Sequence, residues 1–250
     1  MSLNSANFKL VLGPILVAIV VAMGLRPLEA SIKANSSAVR VSGEQLERLV
    51  GNGGMLGVLG GLRSVVASGF WLRANQAWER EDVAATTALI ELTVAADERP
   101  LYFWLNGARM LAYDMPVWRT HRVMPAGVRR NIEVEQANRA LAFLNQGLRW
   151  HGGEADLYVE MANIYLRRLD DQENAARYYR LAAEQPRAPY YAARIYGELL
   201  IALGRNEEAL HWLRAVEETL PSDDPAARSQ IVRARVLALE QRISLSPTEN

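Results

Sequence analysis

Two hydrophobic patterns follow one another along the chain. From Leu10 to Leu25 no charged, amide or hydroxyl side chain interrupts an apolar run. Beyond about residue 63, apolar positions recur every three or four residues, which places them on one face of a helix. Trp71, Ala74 and Trp78 stripe one such face, and Ala88, Leu92 and Ala95 the next. Trp104, Gly107, Ala108 and Leu111 follow, then Ala140, Leu144 and Gly147. Tyr158, Met161, Ala162 and Tyr165 precede Ala175, Tyr179 and Ala182; Ala209, Leu213 and Val216 mark a further helix. No run alternates with period two between turn residues, so the expected fold class is all-α. Gly204 supplies a left-handed helix end, and Pro221 stops the helix before it.

The stripes repeat. Ala140, Ala175 and Ala209 lie 35 and 34 residues apart, each early in the second helix of a helix–turn–helix pair. Small residues belong where two helices cross closely. On these residues, and on Gly204, Leu213, Val216 and Pro221, the chain resembles the tetratricopeptide repeat (TPR) family over about residues 63–221. The resemblance implies a TPR-like helical solenoid of about four helix pairs. Ile231, Val232, Val236, Leu239 and Ile243 fit a C-terminal capping helix over the last apolar surface. Two departures stand out. The turn at 169–174 is one residue longer than usual, and Ala88 to Ala140 is 52 residues, about 18 beyond the period. That excess falls between Asp114 and Asn131. Gly60-Gly61-Leu62-Arg63 with Phe70-Trp71-Leu72-Arg73-Ala74 is also similar to a bacterial membrane-anchored TPR family, a likeness that imports no activity.

As a helix, residues 10–25 would span roughly 24 Å at about 1.5 Å per residue. A bilayer core is about 30 Å thick, and Phe8, Leu28 and the snorkelling Lys9 and Arg26 extend the run. A single-pass transmembrane anchor is the reading adopted. A signal peptide cleaved after Ala30 would carry Leu28 where a small residue is wanted, and a buried helix would be apolar on all faces. The expected division is an anchor at 1–29, a linker with a glycine-rich apolar segment at 30–60, and a repeat domain at 61–250 with an insertion at 115–130. Basic residues counted on the two flanks favour cytoplasmic repeats. A short acid-free N-terminus before an apolar run resembles a bacterial signal-anchor, which puts the repeats on the periplasmic or other extracytoplasmic side, the orientation adopted. The glycine-rich stretch at 51–61 lacks the Lys-Ser or Lys-Thr of a nucleotide loop and the strand before a dinucleotide site. It fits a segment packed on the first repeat or lying in the membrane interface.

Charge and composition narrow the function. Twenty-eight basic and 28 acidic residues cancel, so no broad field draws nucleic acid. Without cysteine there is no disulfide, thiolate or Cys-ligated zinc. His121, His151 and His211 have no metal-ligand spacing. Asp170-Asp171, Glu207-Glu208 and Asp223-Asp224 fall at turns or helix starts, where the dipole favours acids. The chain is therefore read as no enzyme, with no cofactor and no metal.

Recognition is left. The insertion carries Trp118, Arg119, Arg122, Arg129 and Arg130 and no acidic residue. A basic, aromatic-bearing loop suits acidic peptide segments or anionic lipid, unless Trp118 simply packs and the arginines are solvated. The TPR resemblance implies a groove lined by the first helix of each pair. It would place Arg109, Asn163, Arg194 and Glu198 there, without the lysines of a peptide-carboxylate site. The expected function is a membrane-anchored scaffold that holds a protein partner in an envelope complex. The alternative is a structural subunit whose repeats brace a larger membrane assembly.

Overall fold

The computed structural model describes residues 63–120, 123–221 and 223–245. The anchor at 10–25 and the stretch at 51–61 lie outside them, as do His121 and Arg122. Every regular element among the described residues is helical. None of these helices is long and apolar enough to cross a membrane. The chain divides into two compact units, Met1–Arg99 and Pro100–Asn250.

In the first unit, α1 (Arg63–Glu79) packs on α2 (Val83–Ala96). Ala67, Ala74 and Ala77 are fully buried along α1, so the small-residue stripe faces inward. Glu81 takes a left-handed φ of 56° in the turn. Asp82 then caps α2 by accepting from the Ala85 amide at 3.0 Å. The far ends of the hairpin meet at Asp97, which accepts from Ser64 at 2.7 Å and from Arg99 Nε at 2.7 Å. These bonds, the Arg99 fork first, hold the Asp97 carboxyl down at about 2.

The second unit is a run of helix pairs in which each element packs on the next. Its first pair sets α3 (Leu101–Arg109), π1 (Met110–Asp114) and α4 (Met115–Arg119) against α5 (Ala126–Gly147). The next sets α6 (Ala155–Ile164) and π2 (Tyr165–Leu169) against α7 (Gln172–Ala183). The last sets α8 (Tyr190–Ala202) against α9 (Asn206–Thr219), and α10 (Ser229–Leu245) covers α9 with Val232, Val236 and Leu239. Ala140, Ala175 and Ala209 are all fully buried, as a close crossing requires. Gly204 has φ 78°, and the amides of Gly204 and Arg205 reach back to the carbonyls of Ile201 and Leu200. That is the Schellman closure, with glycine in the left-handed position.

Both departures from the period take helical form. The extra residue near 169 is absorbed by π2, whose wider turn ends on the Asp170 amide bonding the Tyr165 carbonyl. Asp171 then caps α7 through the Asn174 amide at 2.9 Å. The insertion at 115–130 is a correction to the sequence reading. Residues 115–119 are α4 and 126–130 the first turn of α5, and Met115 is fully buried, so the two ends of the stretch belong to helices of the pair rather than to a loop outside the core. Pro116 does not stop the helix. Proline offers no amide and collides with the carbonyl four residues back; here the α-helical register has already been broken by π1 immediately before it.

Candidate interaction surface

The first helices of successive pairs, with Tyr179 of α7, bring a polar cluster together around one carboxylate. Glu160 on α6 lies amid Tyr158, Val159, Met161 and Ala162, and its side chain is only 5% exposed. Arg109, at the end of α3 and 53% exposed, donates from Nε to Glu160 Oε2 at 2.9 Å. A buried carboxylate is tolerable only with such a partner. Three phenols sense the same spot. Tyr113 on π1 is pushed up to about 12 by burial and then by the Glu160 charge, with Arg167 and Arg168 opposing. Burial also raises Tyr179 to about 12, and its hydroxyl donates to Asn163 Oδ1 at 2.8 Å. Tyr191 at the start of α8 is raised by burial and by Asp156 and Glu160, against Arg109.

The expected groove residues divide accordingly. Arg109 and Asn163 belong to this cluster. Arg194 lies one turn beyond Tyr191, half-buried, with no ion pair among the described residues. Glu198 accepts from Arg235 of α10 at 2.7 Å, so it fastens the terminal helix. Glu160, Tyr113, Tyr179 and Tyr191 were missed as site residues. Glu160 is the single charged residue between Asp156 and Arg167, and that was the available signal.

The insertion residues divide too. Arg119 pairs with Glu135 at 3.1 Å. Arg130 donates to the Arg168 carbonyl at 2.7 Å and stands 3.6 Å from Glu133. The acid-free stretch is thus partly compensated from the next turns of α5, which corrects the picture of four bare arginines. Arg129 is exposed and has no ion pair among the described residues; Trp118 is half-buried. Arg122 lies outside the described residues.

Elsewhere the polar groups serve the fold. Glu208 accepts from Arg205 and from the Tyr196 hydroxyl, which holds its carboxyl down at the start of α9. Among the described residues, no three His, Asp or Glu side chains converge as metal ligands would. The described residues are thus all-helical, and the second unit is a run of helix pairs with a polar cluster around Glu160. No family model matches the chain, and no curated protein matches it. Among solved structures it is similar to the "Crystal structure of MamA protein", with 11% identity and a TM-score of 0.42 over 74% of this chain and 97% of that one.

Proposed function

We propose that this chain is a membrane-anchored, TPR-like interaction module that holds a segment of a partner protein within an envelope-associated complex. The residues at 10–25 serve as the anchor, and the helical units stand on the extracytoplasmic side. The observation that carries the reading is the face around Glu160. Arg109, Asn163 and Tyr191 are presented there, with Arg194 one turn beyond Tyr191, on helices rather than loops, so the contact groups are held before a partner arrives. Preorganised groups lose little freedom on binding. Tyr and Arg are the side chains in which binding energy concentrates.

Site-directed photo-crosslinking in the full chain tests this. A photoreactive residue at Arg194 should give one discrete adduct with a protein, and a second substitution, Tyr191→Ala, should abolish it. The same probe at the exposed Glu218 of α9 should give none. Equal adducts from both positions, or adducts only from α10, would remove the groove from the mechanism and favour a bracing subunit.

A further inference from the structure

We infer that the outward face of α10 is a self-association surface, on which α10 of a second copy of this chain packs antiparallel. A helix that closes a stack of pairs covers the last apolar face and turns a polar one to water. α10 does the first, through Val232, Val236 and Leu239. It does not do the second. Ile231, Ala234, Ala238, Gln241 and Leu245 are all exposed and recur at alternating spacings of three and four. That is the seam of a two-stranded coiled coil, set on the side that α9 leaves open. No charge interrupts it. Leu245 stands 81% exposed and Ile231 43%, with Leu237 at 54% beside them. The charges of α10 lie on its flanks and are drawn toward the body. Arg235 donates to Glu198 of α8 at 2.7 Å and Arg233 to Glu217 of α9 at 2.8 Å, while Glu240 accepts from Arg214 of α9 at 2.6 Å.

The two ends of the seam fit each other. Near its start a shallow hollow lies among Gln230, Ile231, Ala234 and Arg235. At its end Leu245 projects. A parallel copy would set Leu245 on Leu245 and leave both hollows empty. An antiparallel copy, related by a two-fold axis at Ala238, sets Leu245 of each chain over Ile231 of the other, seven residues to either side of the axis. Each projecting leucine then meets the other chain's hollow, and the contact is isologous. Ala234 and Ala238 let the backbones approach between these knobs. The unfavourable contact is Arg235 beside Arg242 of the second copy, and Glu198 compensates the first of these. Two heptads fall short of the roughly three that sustain a free-standing coiled coil, so the pairing is weak and reversible. The inference goes beyond the groove reading and does not rest on it; a dimer through α10 leaves the face around Glu160 to its own test.

The chain has no cysteine, so each variant carries only the thiols introduced. The full chain with Ala238→Cys is oxidised by copper phenanthroline in mild detergent, and disulfide-linked dimer is read on a non-reducing gel. Dimer should form several-fold faster than with Glu218→Cys, an exposed position of α9. Ile231→Cys and Leu245→Cys alone should each give little dimer, because the axis holds like positions roughly 20 Å apart at about 1.5 Å per residue. An equimolar mixture of those two variants should give the dimer band. Adding Leu245→Asp to Ala238→Cys should slow the reaction several-fold. Salt at about 0.5 M should not slow it, since screening relieves only the like-charged flank. Every changed position is exposed, and circular dichroism verifies that the variants fold. Equal rates at 238 and 218, efficient dimer from Leu245→Cys alone, or indifference to Leu245→Asp overturns the inference. So does the absence of dimer at 238, the result expected if another segment of the chain or an unrelated protein covers the seam.

Discussion

The pair α8–α9 and the pair of α3–π1–α4 with α5 share a crossing and differ at their ends. In each, a glycine faces a large side chain. A Cβ on Gly197 would stand 2.5 Å from Leu213 Cδ2, and one on Gly147 would stand 3.0 Å from Trp104 Cδ2. In α8–α9 the chain turns at once through Gly204. In the other pair both helices run on past the crossing, through π1 on one side and a longer α5 on the other. Length is therefore tolerated beyond the crossing and not at it. A close approach is set by side-chain volume, a constraint that eases where the helices run on beyond it.

Gly197→Val should test the crossing most severely. Leu213 is almost wholly buried, and both its Cγ and Cδ2 lie under 3 Å from the new Cβ. A loss of about 3 kcal/mol is expected in denaturant unfolding. An unchanged midpoint would show that α8 and α9 cross elsewhere. Arg109→Ala should come next, costing about 2 kcal/mol, because Glu160 would stay buried without its partner. Glu160→Gln in the same background should recover part of that loss. No recovery would mean that Arg109 acts through packing rather than charge.

Gly147→Ala sharpens the comparison from the other pair. The Trp104 ring must give by a few tenths of an ångström, so about 1 kcal/mol is expected. If it equals Gly197→Val, the two crossings are equally tight and the contrast is wrong. Between α4 and α5, Val123→Ser should change the melting temperature negligibly, as the side chain touches solvent alone.

Acid probes the first unit separately. The Asp97 carboxyl is held at about 2, below its ordinary 3.8. Its contribution is therefore complete above the unfolded value and lost as pH falls from about 4 toward 2. Because the Arg99 guanidinium is in water, the effect is about 1 kcal/mol. Asp97→Asn should flatten that part of the pH–stability profile.

The sequence carried the pairing of helices well because crossings are written in small residues. Ala140, Ala175, Ala209 and Gly204 could be read directly, since each has few alternatives at its position. The insertion was misread for a physical reason. Pro116 and Pro125 look like helix breakers, and nothing local announces that a π turn precedes the first, while the second stands just before α5. Glu198 was placed in the groove by the TPR resemblance, which carries no sign of its bond with Arg235 of α10. The cluster at Glu160 needed residues of α3, π1, α6, α7 and α8 at once, and no one-dimensional pattern contains that.

Arg168 touches the preceding pair through both its backbone and its side chain. Its carbonyl at the end of π2 accepts from Arg130 of α5, and its guanidinium lies 5.7 Å from the centre of the Tyr113 ring on π1. One residue thereby fastens two successive pairs at their π turns. Independent opening of either pair would break both links together. Stacks in which each pair touches only its neighbours open from their ends. In amide hydrogen exchange, α3 through α7 should consequently exchange as one cooperative block, while α10 and then α9 open earlier.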